Sequence, residues 1–465
     1  MNTRILPLIY LFFFTLTAQA QKGYDISVQM KLDGNQTLYL AYHLGSKQYV
    51  AAEDSSSNGE FNFTGEEKLK RGIYKLVIKE NMQVLEIVSI NDDQHFELIT
   101  TTPQNFVKDM MVKGSEENEH YYALAKEKYK LLTSYRAIES KTASADGTVK
   151  KDLENQLTNL TQKAQELQKE FIENYPNFLI SKALKANIPV EIPTAKELGL
   201  TPQEYESKRL ELFRKHFFDN FDLNEDGLIR TDIFYPLINS YLNNLYYQDS
   251  TQQKKGLTKL LNTLAVNPEM YKLTLIEMVN KFATVRSFHG VAIYAFLVEE
   301  YYLKGKAEWI DAPTLQSMRK SVEKIRSTEL GKTAPAILLL NDKGEEIAIK
   351  NITAKYKILV FWNANKESSL TPLLELQQIT AHIPSSELQI LAIDKGENKN
   401  LFFQKVQAHH LSKPDNWINA FGQPYQGKDF SENYRNYGEF YYILLDADNT
   451  IIMRGNAVEK LANSL

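Results

Sequence analysis

Polar and apolar residues alternate along the first part of the chain. The alternation covers 24–32, 37–42, 60–63 and 73–78, and the turn pairs Asp33-Gly34, Asn58-Gly59 and Arg71-Gly72 separate these runs. A period of two with polar turns at short spacing predicts an antiparallel β-sandwich over 21–112. From about 115 the period changes. Leu153, Leu157, Leu160, Ala164, Leu167 and Phe171 recur at alternating spacings of four and three. That stripe predicts a helix that packs along one face, and an earlier helix over 117–141 is expected to fold back on it across Asp146-Gly147. With fewer than four heptads the pattern fits a helical hairpin better than a long coiled coil. Further helices are predicted near 202–218, 233–247, 252–265, 267–285, 290–303 and 312–327, punctuated by Pro176, Pro189, Pro193, Pro236 and Pro313. This gives an all-α domain over 113–330.

After 331 short apolar runs alternate with helical segments. Strands are predicted at 337–340, 357–362, 388–393, 441–445 and 451–454, and helices at 371–382 and 397–410. Strand and helix in alternation make an α/β layer over 331–465. The fold class read from the chain is therefore multidomain α+β: a β-sandwich, a helical domain and a C-terminal α/β domain.

The first twenty residues stand apart. Arg4 supplies a positive start, 5–16 an apolar stretch, and Ala18-Gln19-Ala20 a small-residue cleavage site. The stretch is too short to span a bilayer, so 1–20 reads as a signal peptide and the protein as exported, periplasmic or secreted. No Cys follows the site, which argues against a lipoprotein, and no later run predicts a membrane span.

Composition narrows the chemistry. The 465 residues include no Cys. Disulfide exchange, thiol peroxidase chemistry, cysteine proteolysis and thiolate metal sites are thereby excluded. A formal charge of −4 with no basic block argues against nucleic acid. No HExxH, GxSxG, P-loop or GxGxxG pattern occurs, and nothing calls for a cofactor or metal. The run from Asp222 to Gly227 resembles the start of an EF-hand loop, but Ile233 stands where the bidentate Glu belongs. His409 and His410 are helix neighbours and diverge by about 100°, so they cannot chelate one ion together.

The best-defined joint is KILVFWNANKESSLTPLLEL, residues 357–376. It runs from a buried strand ending at Trp362 into a helix. Thr371-Pro372 is a favourable cap and first helical residue, which predicts a helix starting there. A hydroxyl at Ser369 stays protonated near neutral pH without a base to remove its proton, and an ammonium at Lys366 opposes the helix dipole.

The segments 331–335, 341–344 and 356–362, together with 391–394 and 437–446, resemble the thioredoxin-like proteins of the alkyl hydroperoxide reductase/thiol-specific antioxidant superfamily. The mature chain as a whole is similar to exported Bacteroidota proteins that join an N-terminal β domain, a helical domain of unknown function and a thioredoxin-like domain. The upstream matches are 58–63, 72–74, 113–115 with Asn118, 216–220 and 228–231. The resemblance implies a thioredoxin-like fold for 331–465. It also places Lys366 and Ser369 at the two redox cysteine positions, Phe440 at the cis-proline position and Leu374 at the helix-kinking proline. The family's catalytic residues therefore carry over to none here, and the Glu439–Phe440 peptide is expected to be trans. What remains is a degenerate site at Trp362, Lys366, Ser369, Glu439 and Phe440. The expected role is binding or scaffolding of a protein or peptide partner in the cell envelope. The competing expectations are a non-thiol, hydrolase-like enzyme and a protein whose upstream domains carry the function.

Overall fold

The computed structural model describes residues 23–462 apart from 33, 102–104, 248 and 427–428. The expected signal peptide lies outside the described residues. The chain divides into two compact units: one takes the chain to Tyr241 together with Leu264–Met270, the other Leu242–Thr263 and everything from Tyr271.

The first unit begins with eight strands: β1 (Tyr24–Met30), β2 (Gln36–Leu44), β3 (Lys47–Ser56), β4 (Glu60–Gly65), β5 (Gly72–Ile78), β6 (Gln83–Ile90), β7 (His95–Thr100) and β8 (Met111–Lys113). They form two four-stranded sheets in the orders β4-β1-β7-β8 and β3-β2-β5-β6. Alternate residues from both sheets share one hydrophobic core, including Ile26, Val28, Leu38, Leu40, Phe61, Phe63, Leu76, Val88 and Leu98. Shared burial of one face per sheet is what the period of two dictates.

The sheets are not wholly antiparallel as the alternation predicts. Strand β1 pairs in parallel with β7, Ile26 opposite Phe96 and Val28 opposite Leu98. The chain visits the other sheet for β2 and β3, comes back as β4 antiparallel to β1, and crosses again for β5 and β6 before β7, so no hairpin joins β1 to β7 or dictates their relative direction. Strand β3 lacks a clear apolar alternation because most of its side chains are exposed or half-buried.

Helices α1 (Glu116–Thr142) and α2 (Gly147–Asn174) follow as an antiparallel hairpin. The stripe Leu153, Leu157, Leu160, Ala164 and Leu167 is half-buried, and Phe171 is buried. Glu117 anchors the start of α1. One of its carboxylate oxygens accepts from Ser89 Oγ at 2.7 Å and from the Ile180 amide at 2.8 Å, and the other from Asn91 Nδ2 at 3.1 Å. Helices α3 (Leu179–Ala186), α4 (Pro202–His216), α5 (Phe234–Leu245), α6 (Ser250–Leu264), α7 (Pro268–Thr284), α8 (Phe288–Leu297) and α9 (Ala312–Arg326) complete the central helical region. Thr201 and Glu204 form a reciprocal capping box at the start of α4.

The second unit ends in a seven-stranded sheet. Its elements are β9 (Leu338–Asn341), β10 (Glu346–Ala348), β11 (Tyr356–Trp362), α10 (Glu367–Thr380), β12 (Leu388–Asp394), α11 (Lys399–Ala408), β13 (Trp417–Phe421), β14 (Tyr441–Leu445), β15 (Ile451–Gly455) and α12 (Val458–Ala462). The order is β10-β9-β13-β12-β11-β14-β15. Strands β11, β12 and β13 are parallel, and β14 and β15 run antiparallel on the far side of β11. A βαβ crossover followed by an antiparallel ββ pair and a helix is the thioredoxin-like arrangement.

Strand β11 is central and buried on both faces. Ile358, Val360 and Trp362 pack with Leu373, Leu376, Phe402 and Leu461. Phe361, facing the opposite way, stacks on Tyr441 at 4.5 Å between ring centroids and on Phe430 at 5.8 Å.

Candidate functional site

The joint between β11 and α10 is held by backbone and side-chain bonds that start at Asn363. Its carbonyl accepts from the Lys366 amide at 3.0 Å, closing a tight turn, and its Oδ1 accepts from the Asn365 amide at 3.0 Å. Helix α10 then begins at Glu367, with Lys366 as its extended N-cap and no side-chain cap bond. This corrects the start at Pro372 that the local sequence predicts. Pro372 sits inside the helix, where it removes one backbone hydrogen bond. Tertiary bonding outweighs that loss. Leu370, Leu373 and Leu376 are buried, and Ser369 reaches two backbone groups that no later-starting helix would satisfy.

Ser369 is wholly buried. Its hydroxyl accepts from the Asn363 amide at 2.8 Å and donates to the Glu439 carbonyl at 2.9 Å. Asn363 Nδ2 adds a bond to the Glu439 carboxylate at 3.3 Å. The strand end, the helix start and the segment before β14 are thus tied together through one serine. The Glu439–Phe440 peptide is trans, and Phe440 packs into the core that contains Trp362. Trp362 is also fully buried, and its indole N–H has no partner. Of the five residues the sequence singles out, Trp362, Ser369 and Phe440 are interior, Glu439 is half-buried and Lys366 is exposed.

Three residues that the motif reading passes over complete this end of the sheet: Asn363, Asp394 and Lys395. Asp394 ends β12 and has no exposed surface. Its Oδ1 accepts from the Ala364 amide at 2.8 Å and the Gly396 amide at 3.0 Å, while Oδ2 is buried without a partner. Burial pushes its carboxyl above the ordinary carboxylate range, against the opposing pull of the two amides and Lys395. Gly422 donates its amide to the Asp394 carbonyl at 2.9 Å, and a Cβ there would lie 2.4 Å from that oxygen. Only glycine fits so close an approach.

The Lys395 ammonium donates to the Gly438 carbonyl and, at 3.3 Å, to Asn436 Oδ1, and it lies 4.9 Å from the Tyr441 ring centroid. Burial lowers its pKa to about 8; Arg286 adds to that, whereas Glu439 and Asp394 oppose it. The available signal was position: polar residues at the carboxyl ends of adjacent parallel strands are where open α/β sheets hold ligands.

The segment 435–441 is also engaged by helical residues of the same unit. Tyr437 stacks on Phe288 at 4.1 Å, its hydroxyl lies 3.1 Å from Thr328 Oγ1, and Arg435 donates to the Ala283 carbonyl at 2.9 Å. The strand-end surface is therefore bounded on the 437–440 side by the chain itself and open on the Lys366 side.

The other candidates resolve into structural roles. Asp222 pairs with Lys182 at 3.0 Å, and Asp226 Oδ1 accepts from Asn267 Nδ2 at 2.6 Å. His409 is the C-cap of α11, which ends at Ala408, and His410 takes a left-handed conformation. Among the described residues no group of three or more His, Cys, Asp or Glu side chains is placed to hold a metal ion. No helix among them is long and apolar enough to cross a membrane.

No family model matches the sequence, and no curated protein matches it. Solved structures do. A thioredoxin-like protein from Bacteroides caccae is 15% identical and matches over 60% of this chain and 98% of its own, with a TM-score of 0.43. The thioredoxin domain of a thiol-disulfide oxidoreductase from Bacteroides vulgatus is 20% identical over 29% of this chain and 94% of its own, with a TM-score of 0.27. A thiol-disulfide oxidoreductase from Bacteroides fragilis is 20% identical over 29% of this chain and all of its own, with a TM-score of 0.25. The structural neighbours of this chain are thus thioredoxin-like and thiol-disulfide oxidoreductase proteins of Bacteroidales, while the chain itself has no cysteine.

Proposed function

We propose that the protein is an exported cell-envelope protein whose thioredoxin-like domain has no redox chemistry and serves a binding or scaffold role. The layout we propose is a β-sandwich over 21–112, a helical domain over 113–330 and the thioredoxin-like domain over 331–465. The observation that carries this reading is the bonding of Ser369. Its hydroxyl is committed to the Asn363 amide and the Glu439 carbonyl, so the second redox position works as a structural tie. The surface left for a protein or peptide partner is centred on exposed Lys366 and half-buried Glu439, with Trp362 and Phe440 supporting it from beneath.

The experiment is a tagged purification from the native envelope, paired with an insulin-disulfide reduction assay. The reading expects a partner that is retained by the parent chain and lost from Lys366→Glu, with insulin reduction at the no-protein rate. Reduction above that rate overturns the redox-inactive part; retention of the partner by Lys366→Glu overturns the site. The same preparation tests export: the mature protein should begin at Gln21 by mass spectrometry. A hydrolase-like reading is not favoured, because the Ser369 hydroxyl bonds two backbone groups rather than a histidine.

A further inference from the structure

The α1–α2 hairpin leaves a groove of about 520 Å³ along its length. Its walls include Leu124, Leu132 and Tyr135 of α1, Leu160 and Ala164 of α2, and Leu184 of α3. The volume arises where small side chains, Ala125, Thr161 and Ala164, occupy positions that larger ones would fill. Helices that pack closely usually interdigitate large side chains there. Leu132 is 44% exposed where it lines this groove, whereas Leu124, two turns earlier on the same helix, is buried. The size falls within the range of small-molecule sites, about 300–1,000 Å³.

One charge interrupts the apolar lining. Lys128 is half-buried in the groove wall, and its ammonium donates to Gln168 Oε1 at 2.9 Å. That partner is a neutral amide. Among the described residues no carboxylate forms an ion pair with Lys128, and burial, with no charged neighbour contributing, lowers its pKa. A partly desolvated ammonium with only an amide for company is a site waiting for an anion. An apolar slot with one such cation is complementary to a molecule with a single hydrocarbon chain and one negative headgroup.

We propose that this groove binds a fatty acid, the acyl chain lying between α1 and α2 and the carboxylate pairing with Lys128. A partner helix or a second copy of the chain would cover the same face, but neither is needed to explain a small-molecule volume with one cation in it. The proposal is independent of the role assigned to the thioredoxin-like domain.

The test is a fluorescence titration of the full chain with 11-(dansylamino)undecanoic acid, followed by displacement with laurate and with dodecyltrimethylammonium, which has the same chain length and the opposite charge. Saturable binding at one site per chain is expected, with laurate displacing the probe at least about tenfold better than the cation. Lys128→Met should remove that preference while leaving thermal unfolding unchanged. Ala164→Trp should fill the slot and abolish probe binding. Absence of saturable binding, a charge preference that survives Lys128→Met, or full binding by Ala164→Trp would each overturn the proposal. So would a chain that sediments as a dimer and excludes the probe, which would assign the face to a second copy.

Discussion

Ser369 donates its hydroxyl hydrogen to the Glu439 carbonyl at 2.9 Å, across 70 residues of sequence. The same oxygen takes the Asn363 amide, so three chain segments converge on one buried atom. Ser369→Ala would leave a buried N–H and a buried carbonyl without partners. Each such group costs about 1–3 kcal/mol. The expected result is a fall of about 2 kcal/mol in unfolding free energy, read from the urea midpoint with an unchanged slope. Ser369→Thr, which keeps the hydroxyl but adds a methyl to a packed site, should also destabilise. A parent-like midpoint for Ser369→Ala would mean the tie contributes nothing.

Placing cysteines at positions 366 and 369 tests the same geometry from the redox side. Lys366 is exposed at the helix start, where a thiolate is favoured by the N-terminal amides and dipole. Position 369 has no exposed surface. In Lys366→Cys/Ser369→Cys the first thiol should react readily with Ellman's reagent, and the second only after unfolding. Insulin reduction should stay below about one-tenth of that of an active thioredoxin. Phe440 is packed in the core, so adding Phe440→Pro should cost stability before it improves the rate. Full activity from the two cysteines alone would show that the segment 437–440 places no limit on the chemistry.

Much of this architecture is legible in the chain because burial writes itself as period. The run 358–362 is apolar throughout because β11 is buried on both faces, and 60–63 alternates because β4 is buried on one. Where burial and polarity part company, the pattern goes silent. Strand β13 has Asn419 at its centre, a buried amide that accepts from Trp417 Nε1 at 3.0 Å and donates to Ser412 Oγ at 3.0 Å, so its apolar run is broken. Strand β3 keeps most side chains in water and shows no alternation. The start of α10 misleads for a different reason. Thr371-Pro372 is locally a sound beginning, and only long-range bonds from Ser369 extend the helix back to Glu367. Lys366 and Ser369 are singled out through the resemblance to thioredoxin-like proteins, whereas Asp394 and Lys395 gain meaning only when β12 is set beside β11.

Asp394 gives a pH signature that can be read without knowing a ligand. Unfolded, its carboxyl ionises near 3.8; folded, burial holds the proton to higher pH. The folded state then binds more protons than the unfolded state in that window, so this group lowers stability as pH rises through it. Asp394→Asn keeps an oxygen to accept the Ala364 and Gly396 amides and cannot ionise. Its stability relative to the parent should increase from about pH 4 upward and level off once the parent carboxyl is ionised in the folded state. Urea midpoints of both chains across that range check it. A difference that is flat with pH would place the carboxylate in a far more solvated setting than its burial shows.

Lys395 carries the opposite sign at the other end of the scale. Its ammonium gives up its proton at 10.5 in the unfolded chain and at about 8 when folded, because burial disfavours the charge. Between those values the unfolded state binds more protons, so stability should rise with pH. Below about 8 both states are charged and the penalty is present in full. Lys395→Met removes the titration and with it that rise. It also removes the donors to Gly438 and Asn436, which shifts absolute stability by an amount independent of this titration. The slope therefore isolates the ionisation. Thermal or urea midpoints from pH 7.5 to 10.5 should climb more steeply for the parent than for Lys395→Met. Equal slopes would show that the ammonium keeps its ordinary hydration despite Tyr441 and Gly438, and would remove Lys395 from the strand-end cluster as an electrostatic element.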